Sequence, residues 1–315
     1  MTDSVTQDAW QLNANAPELL ISNLDHFGLI SVTGEQAKSF IHGQVTTDIM
    51  SLADNQWRWG AHCDPKGKML ASFRTFMLAE QLMLLMPATT VVADLPQLQK
   101  YAVFSKAELV NASSEYRILG VAGTQASAWL NQQFGAINDE LTVIEQGVIL
   151  KDGERYIIIM DAAAAEQLLD NTQVAVVEHQ AWQALEILAG YPNILPEHQG
   201  QYVPQMCNLQ ALNGISFNKG CYMGQETIAR MKYRGGNKRA LYIIQGQTQQ
   251  TINAESQLEI ALDGDFRRGG KIIEFVQQGE QVLMTAVLAN DTENDAVLRI
   301  AGDEQAQLTI VPLPY

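Results

Sequence analysis

The last quarter of the chain constrains the fold most strongly, because it contains only short apolar runs separated by turn residues. After Arg239, Gly, Asp and Asn residues separate six such runs, at 240–244, 258–262, 271–275, 282–288, 296–300 and 307–311. Short strands at this spacing are typical of a small all-β sandwich or barrel. We therefore predict a separate β-domain over 236–315.

The preceding part of the chain alternates between strand-like and helix-like segments. Alternating apolar residues predict strands at 24–32, 57–63, 69–78, 81–86, 117–121 and 155–160. Helical periodicity predicts helices at 33–41, 91–104, 124–134, 161–169 and 180–188. Strands interleaved with helices of this length indicate an α/β or α+β body. The first twenty residues are polar, and we expect them to be loose at the surface.

Composition and charge exclude several classes of protein. Hydrophobic residues make up 47% of the 315 residues, which is globular composition and excludes a mainly disordered chain. The net charge is −15, so the mean field of the chain repels phosphate, and any contact with RNA must be local. No apolar run reaches the ~18–20 residues that span a bilayer. The three cysteines lack a CxxC spacing and residues 1–8 lack the basic region of a targeting peptide, so we expect a cytoplasmic protein without disulfides.

One segment of this acidic chain is basic. Residues 219–239 carry six basic residues and one acidic residue, a local charge of +5. Such a segment can dock a phosphate, a carboxylate or an RNA backbone, although a solvated amphipathic helix would have the same composition. The candidate docking residues are Arg230, Lys232, Arg234, Lys238 and Arg239.

Cys221 is the strongest candidate for a chemically active side chain. It follows Lys219 and Gly220, and a helical pattern begins four residues after it. A nearby ammonium group and a helix N-terminus both favour the thiolate form of a cysteine. Gly220 and Gly224 permit a tight, exposed backbone on either side. The alternative is a small buried cysteine that packs as a hydrophobe, which is our prediction for Cys63.

Other catalytic and cofactor patterns are weak. None of the five histidines is close to Cys221 in sequence, although the fold could bring His42 or His62 to it as a base. The histidines show no metal-ligating spacing, and three dispersed cysteines cannot hold an iron–sulfur cluster within one chain. No glycine pattern matches a nucleotide-binding loop. We therefore predict no metal site and no ATP or NAD site.

Two aromatic residues could hold a flat heterocycle. Phe27 follows Asp25-His26, and Trp182 precedes Glu186 by one helical turn. An aromatic face stacks well on a pteridine ring, and a carboxylate can accept hydrogen bonds from its aminopyrimidine edge. The alternative is that both rings belong to the hydrophobic core.

The segment around Cys221 also resembles a known family. Residues 219–226, K-G-C-Y-M-G-Q-E, are similar to the signature K-G-C-[FY]-x-G-Q-E of the YgfZ family. These are folate-binding proteins related to the glycine-cleavage T-protein, an aminomethyltransferase, and to a mitochondrial iron–sulfur assembly factor; the bacterial type is described as tRNA-modifying. The resemblance runs from about Leu24 to the C-terminus and includes 40–48, 61–69, 201–217, 232–241 and 312–315.

This resemblance implies an α+β fold of three domains in a ring around a central channel for tetrahydrofolate, with a C-terminal β-barrel. We place the folate-binding domain at 20–50 and 114–235, an inserted α+β domain at 51–113 and the barrel at 236–315. The resemblance also implies a cytoplasmic accessory role that sustains iron–sulfur enzymes, including one that thiomethylates tRNA. A link to the regulation of replication initiation is implied as well.

The resemblance implies a role for individual residues of this sequence. The functional cysteine of the family falls on Cys221. The rest of the signature supplies the supporting residues Lys219, Gly220, Tyr222, Gly224, Gln225 and Glu226. Two tryptophans associated with folate in the family fall on Phe27 and Trp182. The first position is therefore a departure, because phenylalanine keeps a stacking face but lacks the indole N–H.

A second departure separates the chain from the T-protein. There, an Asp pair after a Gly-Gly hairpin positions folate for aminomethyl transfer, whereas residues 66–72 here contain no carboxylate. We therefore expect a folate-dependent accessory factor in which Cys221 is the reactive thiol, and in which Lys219 and the basic segment attract the glutamyl tail or a partner. The alternatives are a folate-dependent transferase or demethylase acting on a small substrate, and a non-enzymatic scaffold that binds tRNA or a partner protein.

Overall fold

The structure is a computed structural model that describes residues 11–12, 17–172 and 174–315. Most of the segment expected to be loose at the surface, residues 1–10 and 13–16, lies outside the described residues. The described strands are β1 Leu20–Asn23, β2 Phe27–Thr33, β3 Trp57–Cys63, β4 Met69–Leu78, β5 Gln81–Pro87, β6 Glu108–Asn111, β7 Tyr116–Ala122, β8 Leu141–Ile144, β9 Gly147–Asp152, β10 Arg155–Asp161, β11 Val176–Val177, β12 Arg239–Gln247, β13 Gln257–Leu262, β14 Asp265–Gln278, β15 Gln281–Ala289, β16 Leu298–Ile300 and β17 Gln307–Val311. The α-helices are α1 Ala37–Gln44, α2 Ala88–Ala102, α3 Ala126–Phe134, α4 Ala162–Asn171, α5 His179–Leu188 and α6 Gln225–Arg234.

The first sheet has five strands in the order β3-β4-β5-β2-β6. The β3–β4 hairpin lies at one edge of this sheet, and its turn satisfies its own backbone: the Asp64 carboxylate accepts hydrogen bonds from the N–H groups of Lys66 and Lys68. Gly67 supplies the positive φ of +75° that the turn requires. The predicted strands at 57–63 and 69–78 are confirmed.

The hydrogen bonding of this sheet joins strands from two of the predicted sequence segments. Strand β2 was placed in the folate-binding domain, but it pairs with β5 and β6 from the segment 51–113. Pairing on both sides satisfies the backbone of β2, and its apolar side chains pack into two core clusters, Phe27 and Leu29 in one and Ile30 and Val32 in the other. The sheet therefore contains β2 together with β3, β4, β5 and β6.

The second sheet has six strands in the order β11-β1-β7-β10-β9-β8. Its core contains side chains from β7, β9 and β10 packed on helices α3 and α4. The sequence did not predict the β8–β9 hairpin, in which Val143 at the edge is 69% exposed. Alternation was weak there because β8 buries only one of its four residues, Leu141.

The third part is a closed six-stranded barrel with the order β12-β15-β14-β13-β16-β17. All six runs predicted after Arg239 become strands, and the predicted barrel is confirmed. Strand β14 runs for 14 residues and carries register shifts against both of its neighbours, β13 and β15. Such bulges increase local twist, which helps a short sheet to close on itself.

The β3–β4 hairpin packs against both the segment around Cys221 and the barrel. One hydrophobic cluster joins Trp59 and Met69 of the hairpin to Tyr222, to Ile228 of α6 and to Leu241 of the barrel. All five side chains are at most 7% exposed. The hairpin therefore holds the segment around Cys221 in a fixed position relative to the barrel.

Candidate functional site

The loop that carries Cys221 is fixed at its C-terminal end by close backbone packing. Gly224 has φ +78° and precedes helix α6 directly. A Cβ at this position would lie 2.6 Å from both the Asp64 carbonyl oxygen and the Gly67 Cα, so only glycine fits against the hairpin turn. The Met223 N–H donates to the Gly43 carbonyl at 3.3 Å and ties the same loop to helix α1.

Lys219 anchors the other side of the loop. Its ammonium group donates to three backbone carbonyls, that of His42 in the last turn of α1 and those of Val45 and Thr47 just after the helix, the last two at 2.7 and 2.9 Å. Cations are favourable beside the free carbonyls of a helix C-terminus. Burial lowers the pKa of Lys219 to about 8, while nearby Asp48 favours the charged form. The side chain is thus a clamp between two elements, and the glutamyl tail expected to bind it would compete with three carbonyls.

Cys221 itself is exposed, whereas Cys63 and Cys207 are buried. Burial raises the pKa of both buried thiols, with the nearby Asp64 carboxylate as a further cause for Cys63. These two thiols are therefore protonated and shielded. Of the three cysteines in the sequence, only Cys221 is open to a reagent or a partner.

A histidine lies beside this loop. The Nε2 atom of His42 is 4.0 Å from the position that a Cβ at Gly220 would occupy, which also shows that Gly220 has room around it. The His42 Nδ1 lies 3.3 Å from an Asp48 carboxylate oxygen. Burial and the Lys219 charge lower the pKa of His42, with Asp48 acting against them, so the imidazole is neutral near pH 7. The fold thus brings one of the two candidate bases next to the residue that precedes Cys221.

The remaining residues of the signature have distinct roles. Tyr222 is 7% exposed and packs in the hydrophobic cluster of the hairpin, with the Lys219 ammonium 4.9 Å from its ring centroid. Gln225 begins helix α6. Glu226 and Arg230 form an exposed ion pair one turn apart on that helix, with 2.7 Å between nitrogen and oxygen.

A cleft of about 990 Å³ begins on the same loop, at Asn218. Cys221 is three residues further along the loop and is not among the residues that line the cleft. The aromatic rings in the lining belong to Trp57, Trp59 and Phe217. The charged residues in the lining are Asp48, Arg58, Asp139, Glu140, Lys151 and Lys232.

The basic residues of the segment 219–239 lie in different places in the structure. Lys232 lines the cleft and places its ammonium 3.7 Å from the centroid of Phe217, a cation–π contact. Arg234 and Lys238 are exposed. Arg239 lines a different cavity, between the hairpin and the barrel. The five predicted docking residues therefore do not all line one cavity.

The two aromatic residues assigned to folate lie in the core. Trp182 has no exposed surface; its indole N–H donates to Glu186 at 3.0 Å, and the Gly120 backbone lies against its ring. Phe27 is 4% exposed and packs in the same cluster, but it also lines a smaller cavity of about 490 Å³. Trp182 therefore offers no free face to a pterin in this structure, because its ring is fully buried, with the Gly120 backbone against it and the Arg155 guanidinium 5.2 Å from a ring centroid.

A buried charge cluster lies next to these rings, and the sequence analysis did not identify it. The Arg74 guanidinium, 1% exposed, bonds both oxygens of Glu186 at 2.8 and 2.9 Å and Asp152 at 3.2 Å. Arg155 forms ion pairs with the same two acids, at 2.8 Å from Asp152 and 3.5 Å from Glu186. Burial, and then the Glu186 charge, raise the pKa of neighbouring Glu274 to about 8. The available signal was an arginine in the middle of an apolar strand, since such a residue needs a buried partner.

The fold also juxtaposes three potential metal ligands that are dispersed in sequence. Atoms of Asp25, His26 and His179 lie within 4.8 Å of one another. His179 Nδ1 lies 2.9 Å from an Asp25 oxygen, and its ring stacks on His26 with centroids 4.7 Å apart. Burial lowers the pKa of His26 to about 3. The sequence-based prediction of no metal site did not anticipate this grouping.

The architecture defines the class of protein first. The solved structure of aminomethyltransferase T of the glycine cleavage system from Bartonella henselae matches 94% of this chain and 86% of its own, with a TM-score of 0.73 at 20% identity. The "GCVT N-terminal domain" model matches residues 1–146, and the "YgfZ, beta-barrel domain" model matches residues 237–303. The chain thus has an aminomethyltransferase-like fold with a C-terminal β-barrel, as predicted.

Sequence relatives then identify the family. A tRNA-modifying protein YgfZ from Colwellia psychrerythraea is 37% identical over 96% of this chain and 95% of its own. One from Serratia proteamaculans is 40% identical over 96% of this chain and 94% of its own. The chain belongs to the YgfZ family of tRNA-modifying proteins, and membership supports a role in tRNA modification. Within the described residues, every helix is too short or too polar to cross a membrane.

Proposed function

We propose that this protein is a cytoplasmic, folate-binding accessory factor for tRNA modification and that Cys221 is its reactive thiol. In this proposal it sustains the iron–sulfur enzymes on which the modification depends. The observation that carries the proposal is the position of Cys221: it is exposed on a loop that glycine packing and the Lys219 clamp fix, and the same loop lines the 990 Å³ cleft.

The cleft has the chemistry that a reduced folate requires. Trp57 and Phe217 are half-buried rings that can stack on a flat pterin. The Asp48 and Glu140 carboxylates can accept hydrogen bonds from the N–H groups of its aminopyrimidine edge. Lys151 can pair with the glutamyl carboxylates. The volume lies within the range of small-molecule sites, roughly 300–1,000 Å³.

The residues of the loop would then have separate tasks. Tetrahydrofolate, when bound, supplies a carrier for one-carbon units. The Lys219 clamp and Gly224 keep the loop in place, so that Cys221 stays exposed near the cleft. His42 is neutral near pH 7, so one of its imidazole nitrogens can accept a proton. A thiol must lose its proton to react as a thiolate, and His42 is the base that could accept it.

The role of the thiol is tested by Cys221→Ala and Cys221→Ser in cells that lack the native protein, with the thiomethylated fraction of tRNA as the readout. We expect both variants to lose function, while thermal stability and folate affinity stay close to wild type because the side chain is exposed. Wild-type levels of modified tRNA with Cys221→Ala would exclude a thiol role. Consumption of methylene- or formyl-tetrahydrofolate by the purified protein alone, lost in the same variants, would instead indicate a one-carbon transferase or demethylase.

The folate site is tested by calorimetric titration of tetrahydrofolate against two matched variants. We expect Phe217→Leu, in the cleft, to weaken binding by up to about tenfold because a stacking face is removed. Phe27→Leu, in the smaller cavity, should leave the affinity unchanged. The reverse result would place folate at Phe27, where the family resemblance assigns it, and no binding by the wild type would refute folate binding.

The scaffold alternative rests on the exposed cations of the basic segment. Arg234 and Lys238 are exposed and make no ion pair within the described part of the chain. If the segment docks tRNA, Lys232→Glu and Arg234→Glu should reduce the salt dependence of tRNA binding in a gel-shift assay. The acidic remainder of the chain predicts weak binding, and an unchanged salt slope would exclude this alternative.

A further inference from the structure

A second polar cavity lies between the hairpin and the barrel, away from the residues that line the cleft. It has a volume of about 380 Å³. Three separate segments form it: the β3–β4 turn, the stretch around Gln201 and Tyr202, and the beginning of the barrel in β12 and β14. No position in its lining is shared with the cleft that begins at Asn218.

The charges in this cavity all have one sign. Its lining contains Lys68, Arg239, Arg268 and Lys271 and no carboxylate. None of the four makes an ion pair with an acid in the described ranges of the chain. The chain as a whole has a net charge of −15, so four cations without an acidic partner among the described residues are a marked local exception. Such an arrangement creates a positive potential that attracts an anion.

The barrel strand is shaped to bring two of these cations together. The register of β13 against β14 shifts at this point: Glu259 pairs with Arg268 and Leu258 pairs with Gly270, so Gly269 is an extra residue. A bulge of this kind turns the strand by one residue, which lets side chains three positions apart, Arg268 and Lys271, share a face. Gly269 and Gly270 lie between the two cations and line the cavity without adding a side chain; a Cβ at Gly270 would lie 2.4 Å from Leu288 and from the Val287 carbonyl oxygen.

Gln201 holds the two lysines at the rim. Its backbone carbonyl accepts a hydrogen bond from the Lys68 ammonium at 2.9 Å, and its side-chain oxygen accepts one from Lys271 at 3.4 Å. Each ammonium keeps further N–H donors for a ligand. Tyr202 forms part of the wall, and burial raises its pKa to about 12 although Arg239 and Arg268 act in the opposite direction. Its hydroxyl is therefore protonated near pH 7.

We propose that this cavity binds a phosphate group. Two guanidinium groups offer paired N–H donors that match phosphate oxygens, and two ammonium groups add point charges. A group with up to two negative charges and three or more oxygens satisfies more of these donors than a single carboxylate does. The group can belong to a free phosphate compound or to the backbone of an RNA. The proposal does not depend on Cys221 or on folate.

The primary test is calorimetric titration of the full-length protein with inorganic pyrophosphate at constant ionic strength. We expect Arg268→Gln to weaken binding by about tenfold or more, because charge-assisted hydrogen bonds are lost. Arg267→Gln is the matched control: it is the neighbouring arginine on the same strand, is exposed and does not line the cavity, and it should bind as the wild type does. Equal affinities of the Arg267 and Arg268 variants, or no pyrophosphate binding by the wild type, would overturn the proposal.

A second arm distinguishes the two sources of phosphate. An unmodified tRNA transcript is titrated at several salt concentrations against wild type and Lys271→Gln, a conservative change at a half-buried position. A smaller salt slope in the variant, by about one unit, would indicate that an RNA phosphodiester occupies the cavity. An unchanged slope together with lost pyrophosphate binding would indicate a free phosphate compound. If Lys271→Gln leaves both measurements unchanged, as Arg267→Gln does, the cavity is not a phosphate site.

Discussion

Replacing Arg74 by methionine should destabilise the protein more than any surface change, because it isolates two buried carboxylates. The guanidinium makes three hydrogen bonds, to both oxygens of Glu186 and to Asp152, and lies 4.3 Å from the ring centroid of Trp59. Breaking a buried ion pair by removing one partner costs about 3–5 kcal/mol, since the remaining charge is left without solvent. We expect a loss in that range, with Arg155 keeping it from being larger.

The assay is urea denaturation at pH 7, followed by circular dichroism, with an exposed ion pair as the control. Lys106 and Glu35 are also close, with 2.7 Å between nitrogen and oxygen, but their side chains are 72% and 74% exposed. Lys106→Met should therefore cost less than about 1 kcal/mol. The comparison isolates burial as the cause, because the distances in the two pairs are nearly equal.

A double variant separates the unpaired charge from simple loss of packing. Glu186→Gln retains an oxygen for the Trp182 indole but removes one of the two carboxylate charges that lose Arg74 in Arg74→Met; the other is that of Asp152. The double variant should therefore be more stable than the sum of the two single losses by about 0.5–3 kcal/mol. Additive losses, or an Arg74→Met variant within about 1 kcal/mol of the wild type, would refute the argument that the buried charges are coupled.

Three further predictions concern pH, backbone and thiol chemistry. Glu274 has an ordinary pKa of 4.5 and a folded value of about 8, so wild type should lose stability relative to Glu274→Gln as pH rises from about 5 to about 8; equal pH slopes in urea melts would contradict this. Gly224→Ala should destabilise the protein by more than about 1 kcal/mol, whereas Gly220→Ala, which has room for a Cβ, should not; similar melting temperatures for both would show that the loop packing is not restrictive. Ellman's reagent should titrate one thiol in the native protein and none in Cys221→Ala, and a second fast thiol would contradict the burial of the other two.

Much of the fold could be predicted from local patterns. The strands at 57–63 and 69–78 follow from alternating apolar residues around a turn signal, and helix α6 begins at Gln225 as expected. Local sequence patterns failed to predict the contacts of side chains whose partners are distant in sequence. The spacing of Thr33 and Gln36 before the predicted helix at 33–41 is typical of a capping box, but none forms, because the Gln36 side chain accepts a hydrogen bond from the Lys106 backbone instead.

The candidate site was predictable only in part, for the same reason. The exposed loop around Cys221 could be recognised because glycines on either side and a helix start are local features. The role of Lys219 could not, since its acceptors lie more than 170 residues away in sequence. Trp182 has the same helical spacing whether its ring faces a ligand or the core, and only packing against Gly120 decides between them.

The sequence by itself determined most of the strands and helices, the barrel and the glycine-flanked loop around Cys221, because each depends on the spacing of residues within a few turns or strands. Tertiary structure alone decided what the charged groups do. It surrounded Arg74 with acids from two other elements, and it brought Lys68, Arg268 and Lys271 together around a cavity without an acid. Contacts between distant segments leave no periodic trace in a sequence, because either partner alone looks like an ordinary charged residue.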